Sequence, residues 1–205
     1  MKTLETIEKE PTILFKPTDR QKVFLRCSAL EKGFGGGAGG GKSKGLLADC
    51  SYGLQHRGYR ALLLRRKLVD LKKSGALIDM SQELWRGRGK YNAQDHVWIF
   101  PNNCKIEFGH CQTIKDLDNY YSAEYHYIGI DQAEQFTEEM YTFLFSRCRS
   151  SNPEISCHIV SSFNPVGIGR NWIKNRFFIT TKNPDTKHPI SEEIVYPNGE
   201  KKLMT

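Results

Sequence analysis

The chain has 205 residues, and its 30 Lys and Arg outnumber its 23 Asp and Glu to give a formal net charge of +7. Hydrophobic residues make up 39% and charged residues 26%, which is ordinary for a globular domain and excludes a disordered or fibrous class. No stretch approaches the ~20 apolar residues of a membrane span. The six cysteines show no C-x-x-C spacing, which indicates reduced thiols in an intracellular protein.

Helices and strands are expected to alternate along one domain, residues 1–205. An extended segment, 1–17, precedes a core at 18–180, and a loosely ordered tail follows at 181–205. The capping-box pattern Thr18-x-x-Gln21 opens a helix that reaches about Leu30. Further elements are expected as strand 32–35, helix 42–56, strand 59–64, helix 69–84, a hairpin of strands 96–100 and 105–108, strand 125–130, helix 133–148, strand 157–161 and helix 171–177. This order predicts an α/β fold whose mostly parallel central sheet is flanked by helices and carries an added β-hairpin.

The sequence G-G-A-G-G-G-K-S at 36–43 matches the phosphate-loop pattern G-x-x-x-x-G-K-[ST]. Glycines allow a tight turn that points successive N–H groups at an anion, and a following helix adds its dipole. In this interpretation Lys42 reaches the β- and γ-phosphates of ATP, and the Ser43 hydroxyl ligates Mg²⁺. The nucleotide-binding candidates are Gly36, Gly37, Ala38, Gly39, Gly40, Gly41, Lys42 and Ser43. A flexible glycine-rich linker is the alternative.

An apolar strand, Y-I-G-I, ends in Asp131, which is typical of a Walker B motif. Ligands of open α/β sheets bind outside the carboxyl ends of the strands, so Asp131 is expected to face the phosphate loop and to hold Mg²⁺ together with Ser43. The alternative role for Asp131 is N-cap of the next helix.

Hydrolysis also requires a residue that orients or deprotonates the attacking water. Many such ATPases carry Glu directly after the Walker B Asp, and here that position is Gln132. Glu134 lies one helical turn beyond Asp131, so we predict Glu134 as the catalytic carboxylate and Gln132 as its auxiliary. The alternative for Glu134 is an acid that interacts with the helix dipole.

Two further segments have candidate roles. The basic, glycine-containing loop at 86–90 is a candidate DNA contact, although a solvated surface explains its charge equally well. The strand that ends in Ser161, Ser162 and Asn164 runs into a polar turn that could sense the γ-phosphate. A plain Asn-Pro turn is the alternative there.

Taken together these motifs resemble the ATPase domain of tailed-phage large terminases over about residues 11–180. The matching features are F-x-P-x-x-x-Q at 15–21, the phosphate loop, L-L-L-R-R at 62–66, I-G-I-D-Q-A-E-Q-F at 128–136, R-C-R at 147–149, S-F-N-P at 162–165 and N-W-I-K with Phe177. The resemblance implies an ASCE-type P-loop NTPase fold in a homo-oligomeric ring that uses ATP to drive double-stranded DNA into a viral procapsid. It also implies a portal protein and a small terminase subunit as partners, in the cytoplasm of the infected bacterial host cell and without a membrane. Gln21 would contact adenine, and Ser161, Ser162 and Asn164 would form the coupling motif.

The chain departs from the family pattern in three ways. Ala38 is the candidate replacement for an arginine that many members carry in the loop, and Gln132 replaces the usual Glu. The sequence to Thr205 leaves no room for the family's ribonuclease-H-like nuclease domain, so no DNA cleavage is expected from this chain.

Because no internal arginine is evident at the site, a neighbouring subunit is expected to supply one. Arg147 and Arg149 are the candidate arginine fingers, and cationic capping of a helix C-terminus is their alternative role. The isolated domain is therefore expected to be a monomer with low activity. Another P-loop translocase of the helicase-like kind, or a nucleotide-dependent assembly module with little turnover, remains the alternative function.

Overall fold

The computed structural model describes residues 15–37, 39–164 and 166–177, together with the backbone of two strands at 192–195 and 201–204. Its α-helices are α1 (Asp19–Arg26), α2 (Lys42–Ser51), α3 (Leu68–Lys72), α4 (Leu77–Trp85), α5 (Glu138–Arg147) and α6 (Arg170–Arg176). Its strands are β1 (Glu31–Gly35), β2 (Arg60–Arg65), β3 (Lys90–Asn92), β4 (Val97–Ile99), β5 (Lys105–His110), β6 (Tyr127–Ile130), β7 (His158–Phe163), β8 (Glu192–Val195) and β9 (Lys201–Met204). Short 3₁₀-helices cover Tyr52–Gln55, Ile114–Tyr120 and Ala133–Gln135.

The described strands form one sheet in the order β3-β4-β5-β2-β6-β7-β1-β9-β8. The central strands β5, β2, β6, β7 and β1 run parallel, whereas β3 and β4 add antiparallel strands beyond β5. The register aligns the carboxyl ends of three strands, because Leu64 of β2 lies opposite Ile130 of β6, and Ile130 lies opposite Ser161 of β7. Residues that follow these strands therefore meet at one edge.

Helices cover both faces of the sheet. The side chains of β2 point alternately to the two faces, and both sets are apolar and need to be covered. Ala61 and Leu63 belong to an apolar cluster with Leu46 and Leu47 of α2. Leu62 and Leu64 point into a second cluster, with residues of α5 and α6 such as Tyr141, Leu144, Trp172 and Ile173. Near-continuous apolar runs are what strands buried on both faces require. The three-layer α/β architecture with an added antiparallel hairpin is thus the one expected from the sequence.

The expected helix at 69–84 is wrong as a single element, because it consists of α3 and α4. Gly75 separates them with a left-handed φ of 70°, a conformation that L side chains rarely adopt. The helix expected at 42–56 ends as an α-helix at Ser51 and continues as a 3₁₀-helix. The helix expected to reach about Leu30 ends at Arg26, although its capping box is present.

The helix expected at 133–148 is also interrupted. A 3₁₀-helix occupies Ala133–Gln135, and α5 begins only after Thr137, whose hydroxyl accepts a hydrogen bond from the backbone N–H of Met140 at 3.3 Å. A threonine N-cap satisfies a helix donor that would otherwise lack a partner, so the chain restarts its helix there.

The basic segment at 86–90 is divided between a turn and a strand. Arg86 and Arg88 lie exposed in the turn after α4, and Lys90 begins β3, which pairs with β4. The hairpin is therefore three-stranded when β5 is included, and the sequence predicted only two of these strands. The 3₁₀-helix Ile114–Tyr120 was also not predicted.

Most of the predicted tail at 181–205 and of the extended segment at 1–17 lies outside the described residues. Within the tail, the backbone of β9 runs parallel to β1, and β8 pairs with β9 antiparallel. No helix in the described part of the chain is long and apolar enough to cross a membrane.

Candidate nucleotide site

The glycine-rich loop joins the carboxyl end of β1 to the start of α2. Gly39 and Gly41 have left-handed φ values of 79° and 69°, which favour glycine. At Gly41 a Cβ atom would also lie 2.7 Å from Nε2 of Gln21. The loop thus presents the N-terminus of α2, with the positive end of its dipole, where a phosphate would bind. Ala38 lies outside the described residues.

Lys42 is the first residue of α2, and its side chain folds back over the loop. Its Nζ donates hydrogen bonds to the carbonyl oxygens of Gly36, at 3.0 Å, and Gly37, at 2.6 Å. The ammonium group is therefore held at the loop mouth by backbone oxygens, and among the described residues no carboxylate forms an ion pair with it.

Asp131 directly follows β6, and its side chain is only 1% exposed. Ser43 Oγ lies 3.0 Å from each carboxylate oxygen, and Ser162 Oγ also donates to Oδ1. Ser43 and Asp131 are 88 residues apart in sequence, and the parallel sheet brings them together as predicted. The alternative role of Asp131 as a helix N-cap is wrong, because Gln132 and Thr137 occupy the N-cap positions of the two helices that follow.

Arg65 ends β2, the strand beside β6, and its guanidinium contacts the same carboxylate. Its Nε and Nη2 lie 2.8 and 2.6 Å from Asp131 Oδ2, and its Nη1 donates to the carbonyl oxygen of Asp70 at 2.9 Å. In the sequence Arg65 stood out only as part of a motif, and its place in the site was not predicted. The expectation that the site has no arginine of its own chain is therefore wrong, because Arg65 lies against Asp131. The available signal was its position, since a polar residue that ends a buried apolar strand next to the Asp131 strand must lie at the same edge.

Glu134 lies in the 3₁₀-helix after β6 and is 4% exposed. Its two carboxylate oxygens accept hydrogen bonds from Asn164, one from the backbone N–H at 3.1 Å and one from Nδ2 at 2.9 Å. The predicted catalytic carboxylate and the predicted coupling residue are therefore in direct contact. These hydrogen bonds fix the carboxylate, and Glu134 also lies in the first turn of the 3₁₀-helix, as the helix-dipole alternative requires.

Gln132 lies between the two acids in a left-handed conformation with φ of 61°. Its N–H donates to Ser162 Oγ at 3.3 Å, and its side-chain oxygen accepts from Gln135 Nε2 at 3.2 Å. A non-glycine residue at positive φ is uncommon and costs conformational energy, which often marks a functional turn. Gln132 is half-buried, and its backbone N–H adjoins Asp131 through the Ser162 hydroxyl.

The predicted coupling residues Ser161, Ser162 and Asn164 lie at the carboxyl end of β7 and just after it. Ser161 and Ser162 are buried, and Ser162 Oγ connects Asp131 with Gln132. Ser161 Oγ and Asn164 Oδ1 are buried and have no hydrogen-bond partner among the described residues. The end of β7 therefore contacts both predicted functional carboxylates, Asp131 and Glu134.

Gln21 is buried and connects α1 with the phosphate loop. Its Oε1 accepts from the backbone N–H of Thr18 at 2.8 Å, and its Nε2 donates to the carbonyl oxygen of Gly41 at 2.8 Å. The capping role is therefore present, and the adenine contact stays a prediction.

Arg147 and Arg149 lie far from the Asp131 end of β6. The backbone of both residues pairs with Tyr125, just before β6 begins, whereas Asp131 follows the other end of that strand. Arg147 Nη1 donates to the carbonyl oxygen of Tyr121 at 2.6 Å, and Arg149 lies 3.7 Å from Glu124. The structure does not bring either arginine to the site of its own chain, and their roles in a neighbour stay predictions.

A glycine-rich loop between strand and helix, with a lysine and a serine that begin the helix and an acid that ends a parallel strand, defines a P-loop NTPase. The fold confirms the predicted ASCE-type class. A family model described as phage terminase large subunit matches residues 32–197. This chain therefore belongs to the phage terminase large subunit family.

Solved structures of other proteins share this fold. The large terminase of a thermophilic bacteriophage, in complex with ATP-γ-S, aligns with a TM-score of 0.61 and 13% identity over 78% of this chain and 41% of its own. The ATPase domain of the Thermus phage P74-26 large terminase aligns with a TM-score of 0.53 and 12% identity, over 84% of this chain and 74% of its own.

The N-terminal domain of the DNA packaging ATPase from bacteriophage phi29 gives a TM-score of 0.60 and 12% identity, over 92% of this chain and 95% of its own. At such identities the likeness shows the fold alone. This chain spans about two fifths of the length of the thermophilic phage terminase. Among curated proteins, no sequence matches.

Proposed function

We propose that this chain hydrolyses Mg·ATP and thereby powers the translocation of double-stranded DNA into a viral procapsid. The observation that supports this best is the contact of Ser43, at the start of α2 after the phosphate loop, with the Asp131 carboxylate at the end of β6. Family membership supports a role in phage DNA packaging, and the ATP-γ-S complex of the thermophilic phage terminase supports nucleotide binding.

The residues present fit a magnesium ion. Mg²⁺ prefers oxygen ligands and is usually held by one or two protein oxygens, with waters and nucleotide phosphates completing the shell. The Ser43 hydroxyl and the Asp131 carboxylate would supply those oxygens. When bound, the ion would neutralise charge that develops on the phosphates.

Each remaining residue has a distinct task in this proposal. Lys42 would leave its loop carbonyls for the β- and γ-phosphates, where its charge stabilises the transferring phosphoryl group. Glu134 would orient the attacking water and accept its proton, with the Gln132 amide as an auxiliary hydrogen-bonding group. Gln21, at the base of the loop, would contact adenine.

Coupling to DNA movement would pass through the end of β7. Ser162 contacts the metal-binding carboxylate, and Asn164 contacts the catalytic carboxylate through two hydrogen bonds. Because both carboxylates contact the end of β7, release of the γ-phosphate beside either of them would change the hydrogen bonds at that end of the strand.

The proposal includes the partners that the family implies. These are double-stranded DNA, a portal protein, a small terminase subunit and further copies of this chain in a ring, within the host cell cytoplasm. The exposed Arg86, Arg88 and Lys90 are the proposed DNA contacts. Arg147 or Arg149 would serve the site of a neighbouring copy.

One observation favours a second candidate function, an assembly module that binds nucleotide with little turnover. Gln132 occupies the position directly after Asp131, and both oxygens of Glu134 are engaged by Asn164. Release of phosphate from ATP, with and without DNA, separates this module from a motor, and DNA stimulation favours a translocase.

The test of the proposed function is Lys42→Ala. We expect it to abolish phosphate release while leaving the melting temperature nearly unchanged, because Lys42 bonds to loop carbonyls at the exposed mouth of the loop. The matched control is Lys44→Ala, two residues along the same helix, where the ammonium pairs with Glu83 at 3.6 Å. Near wild-type turnover in Lys42→Ala would show that the phosphate-loop assignment is wrong.

A further inference from the structure

Arg65 is the positively charged partner of Asp131, and the pair is largely hidden from solvent. The Arg65 side chain is 14% exposed, and that of Asp131 is 1% exposed. Nε and Nη2 both contact Oδ2, at 2.8 and 2.6 Å. Nη1 is tied to the carbonyl oxygen of Asp70, so all three guanidinium nitrogens have a partner.

The Asp131 carboxylate is saturated by these contacts. An ionised carboxylate offers about four lone-pair sites. Here Oδ1 meets the Ser43 and Ser162 hydroxyls, and Oδ2 meets Ser43 and two guanidinium nitrogens. A divalent cation that approaches Asp131 must therefore replace existing contacts.

Charge makes Arg65 the contact that conflicts with a metal ion. The serine hydroxyls are neutral, and the Ser43 oxygen can ligate a cation while its proton still points to the carboxylate. The guanidinium cannot lose its charge and repels a cation at the same carboxylate strongly, because a buried pair is poorly screened.

We propose that Arg65 and the divalent cation compete for Asp131, so that Arg65 makes metal binding at this site depend on nucleotide. The inference rests on the proposed role of Asp131 as the metal carboxylate. Nucleotide phosphates resolve the competition in two ways. Their negative charge attracts the cation, and their oxygens accept hydrogen bonds from the guanidinium once it has left Asp131. The Asp70 carbonyl keeps the guanidinium beside the site during this exchange. Arg65 is thus a positioning residue that prevents metal from occupying the site alone.

The experiment measures metal binding without nucleotide, by titration calorimetry with Mg²⁺ and by electron paramagnetic resonance with Mn²⁺. We expect Arg65→Gln to bind either ion at least about tenfold more tightly than wild type, the size of effect that a nearby charge has on the proton affinity of a carboxylate. Mg²⁺ alone should also raise the melting temperature of Arg65→Gln and not that of wild type.

The matched control is Arg60→Gln, at the opposite end of the same strand. Arg60 binds the carbonyl oxygens of Gly58, Tyr59 and Asn103, well away from Asp131. Its metal affinity should equal that of wild type. The double variant Arg65→Gln/Asp131→Asn should lose the gained affinity, which ties the gain to this carboxylate.

A second variant covers the case in which Arg65→Gln does not fold. Arg65→Lys keeps the charge, but one ammonium cannot reproduce the forked contact and the Asp70 bond together, so a gain of a few-fold is expected. Metal affinity that is unchanged or weaker in the variant that folds overturns the inference. If wild type fails to bind Mg·ATP, the proposed function fails; if it binds Mg·ATP while the variants show no gain, only the role of Arg65 fails.

Discussion

Glu134→Gln is the substitution that best separates binding of ATP from its cleavage. The carboxylate is buried, and each of its oxygens accepts one hydrogen bond from Asn164. Glutamine has the same shape, but its side-chain amide has one acceptor oxygen and one NH₂ group that can only donate. One of the two Asn164 donors therefore faces another donor, whichever way the new amide is turned.

The expected loss of stability follows from that single broken contact. A hydrogen bond to a charged group contributes about 1.5–3 kcal/mol. For a chain of this size each kcal/mol shifts the melting temperature by about 2–4 °C, which gives a decrease of roughly 3–12 °C. Turnover should fall by about 10²–10⁴-fold, because a general base or water-positioning group is lost. This decrease is much larger than the lower stability alone would cause.

The assay combines three measurements: phosphate release well below the thermal transition, the melting temperature, and the rise in melting temperature that Mg·ATP causes. Glu134→Gln should still be stabilised by Mg·ATP. Asn164→Ala removes the side-chain bond while keeping the carboxylate, so its loss of stability should be similar and its loss of turnover smaller. Glu138→Gln, an acid in the first turn of α5, should match wild type in all three measurements.

Two patterns of results would refute this reasoning. If Glu134→Gln retained turnover within about twofold of wild type while Gln132→Ala was inactive, Gln132 would be the residue that positions the water. If instead Glu134→Gln and Asn164→Ala lost turnover equally, the carboxylate would act only as an anchor for β7.

Two further predictions concern pH and assembly. Burial lowers the pKa of His126 below its ordinary 6.5, and its Nδ1 accepts a hydrogen bond from the backbone N–H of Arg60 at 3.0 Å. The free energy of unfolding should therefore decrease as the pH falls from about 6.5 toward that lowered pKa, and it should decrease less in His126→Asn. Equal pH dependence of the unfolding free energy in the two proteins would contradict this. In a ring of this protein, a Lys42→Ala subunit mixed with an inactive Arg147→Ala or Arg149→Ala subunit should restore turnover if that arginine acts in trans, since such a finger contributes ~10³–10⁵ in rate. Full activity in a strict monomer at any concentration would exclude an essential arginine from a neighbour.

Short sequence motifs and one general rule of α/β sheets predicted part of the site. The glycine spacing located the phosphate loop, and the rule that ligands meet the carboxyl ends of parallel strands placed Asp131 beside Ser43. The same rule applied to Arg65, which ends an equally apolar strand, but its motif carried no assigned role in the site. The contact between Glu134 and Asn164 was not predicted, because it depends on how two separate turns meet in space.

The errors in secondary structure have visible physical causes. Gly75 is a helix breaker and Thr137 is an N-cap, and each interrupts a helix that was predicted as continuous. Strand β3 has three residues and no apolar run, so it exists through its pairing with β4 rather than through its own sequence. A strand that forms because it pairs with a neighbouring strand is therefore hard to predict from its own residues.

The contacts around Glu134 suggest how the proposed chemistry would reach the rest of the domain. Its carbonyl oxygen accepts the N–H of Gly169, the N-cap of α6, at 2.7 Å. Trp172 of α6 donates to the carbonyl oxygen of Phe136, just after the same turn, at 2.8 Å. One short segment thus binds Asn164 through the Glu134 side chain and α6 through its backbone. Because packed elements shift as units rather than deform continuously, a change at the Glu134 carboxylate would move the β7 end and α6 together. In the proposed motor, the end of β7 and α6 are therefore the two elements that would respond together to hydrolysis.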